Sequence, residues 1–204
     1  MKVDASLFAA IDLGSNAFRL MIGQSVRSRK GLQIQEVKTL REPVRLAEGF
    51  DDGALDALAL DRGWQALARF GKKLRGFEAG RVRAVATSAV READNAQLFL
   101  ASAERHLGFP IDVICGHEEA RLVYAGVTHA LPSAEDLRLV VDIGGGSTEL
   151  ILGQGAQPLL TESIAIGSGT LSTRFFRSGD VSAGALQEAE RFAILQFEKV
   201  ARRY

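Results

Sequence analysis

Two short segments of this sequence set an acid at the end of an apolar run, followed at once by glycine and small polar residues. They are Asp12-Leu13-Gly14-Ser15-Asn16 and Asp142-Ile143-Gly144-Gly145-Gly146-Ser147-Thr148. Glycine accepts φ > 0, so such a segment turns tightly and presents backbone N–H groups to an anion. The Ser and Thr hydroxyls add donors. In the second segment three successive glycines remove every side chain that would keep a phosphate off the backbone. A lone Gly-Gly-Gly-Ser is equally well a flexible turn, and it is the second copy that favours phosphate. Each Asp is costly to desolvate at a strand end unless it meets a cation. Mg²⁺ takes a few carboxylates, several waters and phosphate oxygens, so Asp12 and Asp142 are candidate metal ligands. The alternative is an Asp that accepts N–H bonds within its own turn.

The two copies extend beyond the loops. With Asp12 laid on Asp142, Gly14 falls on Gly144, Leu20 on Leu150 and Gly23 on Gly153 without a gap, as an internal duplication would give. The copies differ where Arg19 falls on Glu149. An Arg there can grip phosphate bidentately, whereas Glu149 beside the glycines can hold metal or order a water. Exposed strand residues on an amphipathic hairpin are the plainer reading of both.

The elements that must position these residues follow from hydrophobic spacing. Leu7 to Leu13 and Phe18 to Ile22 read as a β-hairpin, and Leu32 to Leu40 as a third strand. Ala54 to Leu74 has helical spacing, with a possible break near Gly63. A strand at Val82–Ala86, a helix from Asn95 to His106, a strand at Ile111–Ile114 and an amphipathic segment from Glu118 to Leu131 complete the first half. Pro132-Ser133 is a plausible hinge. The pattern then restarts with strands at Leu139–Asp142, Glu149–Leu152 and Leu159–Ile166, helices after Gly167, and a last helix from about Ala183 to Tyr204. This is an α/β chain of two halves, 1–131 and 132–204.

Composition narrows the partners. Over 204 residues, 25 Lys and Arg balance 25 Asp and Glu, so no global field draws the chain to nucleic acid or to an anionic membrane. No apolar run is long enough to span a bilayer. The single Cys115 excludes an internal disulfide framework and fits a reducing compartment. The start of the chain lacks the apolar run of a signal peptide, so the cytoplasm is expected.

Four segments in order resemble one family. They are Ala10-Ile11-Asp12-Leu13-Gly14-Ser15-Asn16, Ala86-Thr87-Ser88-Ala89-Val90-Arg91, Ile114-Cys115-Gly116-His117-Glu118-Glu119-Ala120-Arg121-Leu122, and Val141-Asp142-Ile143-Gly144-Gly145-Gly146-Ser147-Thr148-Glu149-Leu150. Together they resemble the exopolyphosphatase and guanosine pentaphosphate phosphohydrolase family of the actin-like superfamily. The resemblance implies a ribonuclease-H-like fold duplicated as two lobes around a cleft, the second lobe incomplete in this chain because family members run further. It implies Mg²⁺ or another divalent cation, and removal of the terminal phosphate from inorganic polyphosphate, guanosine pentaphosphate or both. By position, Glu119 matches the catalytic base, Asp142 and Glu149 the acids of the metal and water site, and Arg91 a phosphate grip. His117 matches a position where the family tolerates other residues.

Without the resemblance, Glu118 and Glu119 read as first-turn acids favoured by the helix dipole. Residues adjacent on a helix point about 100° apart, so only one of the two can face inward. Glu119 is placed inward with Val123 and Gly126. An uncovered second sheet leads to the expectation of a homodimer. The rival readings are an ATP-dependent phosphotransferase of the same superfamily and a non-catalytic polyphosphate or nucleotide sensor. The phosphate loops alone do not separate them.

Overall fold

A computed structural model of the chain describes residues 4–28, 31–51, 53–132, 135–176, 179 and 181–204. Ser133 of the expected hinge lies outside them. The chain forms two compact units, Met1–Val113 and Ile114–Tyr204.

The first unit is built on three consecutive antiparallel strands, β1 (Leu7–Leu13), β2 (Phe18–Ser28) and β3 (Gly31–Glu42). A small hairpin, β4 (Phe50–Asp51) with β5 (Ala54–Leu55), leads into α1 (Ala57–Lys73). The Asp56 side chain caps α1 by accepting from the Ala59 N–H at 2.6 Å. β6 (Val82–Ala86) then lies parallel to β1, α2 (Ser88–Arg91) and α3 (Ala96–Leu107) follow, and β7 (Asp112–Val113) closes the sheet beside β6. The order β3-β2-β1-β6-β7 is the ribonuclease-H-like arrangement. On β1 the residues Ala9, Ile11 and Leu13 point into a core with Phe18, Leu20, Leu67, Phe70 and Phe99. α1 runs unbroken through Gly63, because the absent side chain there leaves room for the Phe99 ring. A Cβ at Gly63 would lie 2.7 Å from it.

The second unit repeats the opening of the first. α4 (Gly116–Ala130) precedes β8 (Leu137–Ile143), β9 (Thr148–Gln154) and β10 (Gln157–Ile164), which form an antiparallel sheet in the order β10-β9-β8. α5 (Ser168–Phe175) and α6 (Ala183–Ala201) follow. Its core is small: Ala120 and Tyr124 of α4 on Ile151, with Val123 and Val140 beside them. The division after Val113 differs from the one expected after Leu131, because α4 packs on β9 and β10. Leu137, Leu139, Val141 and Ile143 of β8 stay exposed.

Candidate active site

In the first hairpin Asp12 lies directly across from Arg19 and Leu13 across from Phe18. In the second, Asp142 lies across from Glu149 and Ile143 across from Thr148. The ungapped superposition read from the sequence is therefore also a structural equivalence, and one position carries opposite charge in the two copies. Residues directly opposite on antiparallel strands share a face. An acid thus neighbours a cation in the first copy and another acid in the second.

Each loop is strapped from behind by the segment that follows its third strand. The carbonyls of Ser15 and Asn16 accept the N–H groups of Ala47 (3.1 Å) and Arg45 (2.8 Å). Those of Gly144 and Gly145 accept from Ser168 (2.9 Å), Gly169 (2.8 Å) and Thr170 (3.1 Å). The start of α5 is thus bound to the loop itself. Gly167 is required at this junction, since a Cβ there would lie 2.6 Å from the Gly145 carbonyl carbon. The expected left-handed backbone of the loop glycines is not found. Among the described residues the glycines with positive φ are Gly53, Gly76, Gly108, Gly155 and Gly179. Lack of bulk is what Gly14 and Gly144 contribute, with Cβ positions 3.1 Å from the Ala17 carbonyl and 3.0 Å from the Ser147 carbonyl.

In the first unit Gly14 is half-buried, Ser15 buried, and Asp12, Asn16 and Arg19 exposed. Arg91 ends α2, a step beyond the point where Thr87 donates its N–H to the Leu13 carbonyl at 3.4 Å. This brings the Thr-Ser-Ala-Val-Arg segment beside the first loop. The Arg91 Nε reaches Glu92 Oε1 at 3.2 Å.

The second unit collects the acids. Glu149 is 1 % exposed, and its carboxyl is pushed up from the ordinary 4.5 to about 7. Burial is the main cause, the charge of Glu119 adds to it and that of Asp142 adds less, while hydrogen bonds from Ser147 and Ser163 oppose the rise. Burial disfavours the charged carboxylate, and neighbouring negative charge compounds the cost. Glu119, half-buried in the first turn of α4, therefore belongs with Asp142 and Glu149, not with the first half of the chain where the sequence boundary put it.

Its neighbour Glu118 takes the other direction. Arg121 donates to both Glu118 carboxylate oxygens along one guanidinium edge, from Nε at 2.7 Å and from Nη2 at 2.8 Å. The expected inward face needs adjustment: Ala120 and Tyr124 form the buried stripe, Val123 packs beside it, and Gly126 is exposed. His117 contacts Thr161 Oγ1 at 3.1 Å and is exposed.

Two hydroxyls expected to meet phosphate are engaged inside the protein. Thr148 donates to the Ile166 carbonyl at 2.7 Å, and Ser147 bonds Glu149. Both residues are buried, as are Gly145 and Gly146. What these residues hold in place is the loop and the acid. Sequence reasoning missed Ser163, and it missed what Gly116 and Gly167 do: Gly116 makes room for Ser163 and Gly167 for the Gly145 carbonyl. Ser163 meets Glu149 through the pairing of β9 with β10 and meets Gly116 through the seating of α4 on them, for which no local signal exists.

The acids fit a divalent cation by their chemistry: a buried carboxyl with two like-charged neighbours is relieved by positive charge. Among the described residues no three His, Cys, Asp or Glu side chains already form a cage. Mg²⁺ does not need one, because it keeps several of its waters.

Comparison with known proteins identifies the family. The profile of the Ppx/GppA phosphatase family matches residues 25–204. Among solved structures, an exopolyphosphatase-like protein is 30% identical at a TM-score of 0.85, over 97% of this chain and 62% of its own. An exopolyphosphatase from Cytophaga hutchinsonii is 32% identical at 0.76, over 83% and 53%. The PPX-GPPA enzyme of Aquifex aeolicus is 31% identical at 0.72, over 95% and 64%. The chain thus spans less than two thirds of the length of each. With the profile covering most of its length, this chain belongs to the Ppx/GppA phosphatase family.

Proposed function

We propose that the chain hydrolyses the terminal phosphoanhydride of inorganic polyphosphate, with guanosine pentaphosphate as the second candidate substrate. The observation that carries this reading is the group of Glu119, Asp142 and Glu149 beside the triple-glycine loop, in a chain of a phosphatase family. A kinase needs a phosphate clasp of the same kind, but the half-buried Glu119 gives this one a base for water.

The oxygen of water attacks the terminal phosphorus, the bond from that phosphorus to the bridging oxygen breaks, and orthophosphate leaves a chain one unit shorter. Glu119 orients the attacking water and accepts its proton. In the second unit backbone N–H groups of residues 144–148 face the phosphoryl oxygens; in the first, the N–H groups of residues 14–16 with Arg19 and Arg91 offer donors to an anionic chain. Asp142 and Glu149 would hold Mg²⁺. Once bound, the ion would neutralise charge on the bridging oxygens. Ser147 keeps the Glu149 carboxylate in place from within the loop.

Glu119→Gln separates chemistry from folding. Phosphate release from polyphosphate should fall by about 10²–10⁴-fold while the circular dichroism melt stays that of the parent. Undiminished release removes Glu119 from the reaction. Parallel assays on polyphosphate, guanosine pentaphosphate and ATP decide substrate class, and transfer from ATP to an acceptor without release of phosphate would favour the phosphotransferase.

The exposed apolar row on β8 supports a homodimer. The free, exposed Cys115 fits a reducing cytoplasm. No described helix is long and apolar enough to cross a membrane.

A further inference from the structure

Glu149 is held by a side chain that no recognised motif contains. Ser163 stands on β10 directly across from Glu149 on β9, so the two share a face of the sheet. Its Oγ donates to Glu149 Oε1 at 2.8 Å. Ser147 bonds the same carboxylate from the loop, so the acid is fixed by hydroxyls on two different elements.

The far side of Ser163 is equally constrained. A Cβ added at Gly116 would lie 2.3 Å from the Ser163 Cβ and 2.4 Å from its Oγ. The first residue of α4 therefore rests on this serine, and Glu119 follows in the same turn. Alanine at 163 fits the space and cannot donate. Threonine donates and brings an extra methyl toward Gly116. Serine meets both demands.

We infer that Ser163 is a positioning residue for the hydrolysis proposed above, fixing the orientation in which Glu149 faces its cation. The inference rests on that reading. A ligand carboxylate is oriented by its outer hydrogen-bond partners, and loss of such a partner costs about 10–100-fold in metal affinity or activity.

The test compares the parent chain with Ser163→Ala and Ser163→Cys, the latter keeping the size and offering a weaker donor. Three quantities are measured: kcat and KM for phosphate release from polyphosphate, Mn²⁺ affinity by electron paramagnetic resonance, and the thermal melt. Ser163→Ala should lower kcat and weaken Mn²⁺ binding by about 10–100-fold, with KM for polyphosphate within about twofold. Ser163→Cys should fall between alanine and the parent. A packing role alone would leave kcat and Mn²⁺ affinity at parental values in both variants, and that result overturns the inference. If the parent binds Mn²⁺ but releases no phosphate, the hydrolase reading fails and the Mn²⁺ series alone decides Ser163. A parent that does neither overturns both.

Discussion

The two hairpins share one backbone plan and bury opposite faces. In the first, α1 and α3 lie against the side of β1 that carries Ile11 and Leu13, and the side that carries Asp12 and Arg19 is open. In the second, α4 lies over the side that carries Glu149 and Ile151. The side of β8 equivalent to Ile11 and Leu13 is the exposed one, with Val141 at 49 % and Ile143 at 69 % where their counterparts stand at 1 % and 0 %. A charge pair on an open face is hydrated whatever its signs, whereas a carboxyl buried under a helix beside like charge, as Glu149 is, is driven toward its neutral form unless a cation meets it. Burial, more than residue type, turns one copy of the hairpin into a candidate metal site.

The sharpest way to break this comparison is Glu149→Gln. Turnover should drop by more than about 100-fold with the ligand carboxylate gone, and the metal-free protein should become more stable near neutrality. The sign follows from the raised carboxyl: between 4.5 and about 7 the folded chain binds more protons at Glu149 than the unfolded chain does. Parental stability therefore falls as pH rises through that window. Melting curves of the metal-free parent should show this fall and those of Glu149→Gln should lack it, with the variant melting higher at pH 8. Identical curves would mean that α4 does not bury the acid in solution.

Arg19→Glu gives the first hairpin the charge pattern of the second. On an open face the new carboxylate stays hydrated, so stability should change by less than about 1 kcal/mol. KM for polyphosphate should rise about tenfold with the lost charge-assisted contact. Unfolding of this variant would show that the first face is less open than its exposure indicates. The smallest effect is expected from Val141→Thr on the uncovered side of β8. It should weaken self-association a few-fold in analytical ultracentrifugation, and a parent that stays monomeric at all concentrations removes the proposed homodimer.

Much of the plan was legible in residue order because its signals are local. Strand-length apolar runs, the acid-glycine turns and the ungapped repeat lay Asp12 on Asp142 and Arg19 on Glu149 without any knowledge of packing, and the hairpin registers then set Asp12 across from Arg19 and Asp142 across from Glu149. The membership of α4 was not legible. An amphipathic helix announces that it has an apolar face, but its sequence does not say which sheet will receive it, and α4 lies on the sheet that follows it. The same non-local choice hides Ser163, an unremarkable polar residue until β9 and β10 align. The role of Gly14 and Gly144 is equally non-local: φ is a local preference, while the space they leave for the Ala17 and Ser147 carbonyls depends on how the loop closes. Helical spacing alone also turns Gly126 inward, whereas the stripe that fits Ile151 is Ala120 and Tyr124 with Val123 beside it, and Gly126 is exposed.

The position of β8 bears on how firmly the second loop is held. β1 is laced to β2 on one side and β6 on the other, whereas among the described strands β8 is laced only to β9. Local opening of β8 breaks one ladder where opening of β1 breaks two, which puts the second cradle toward the low-stability end of the molecule. Whatever binds between Asp142 and Thr148 must also quiet the strand that carries Asp142. Part of its binding free energy goes into that ordering, so affinity at this loop is a measure of how well β8 is held as much as of the contacts the loop provides.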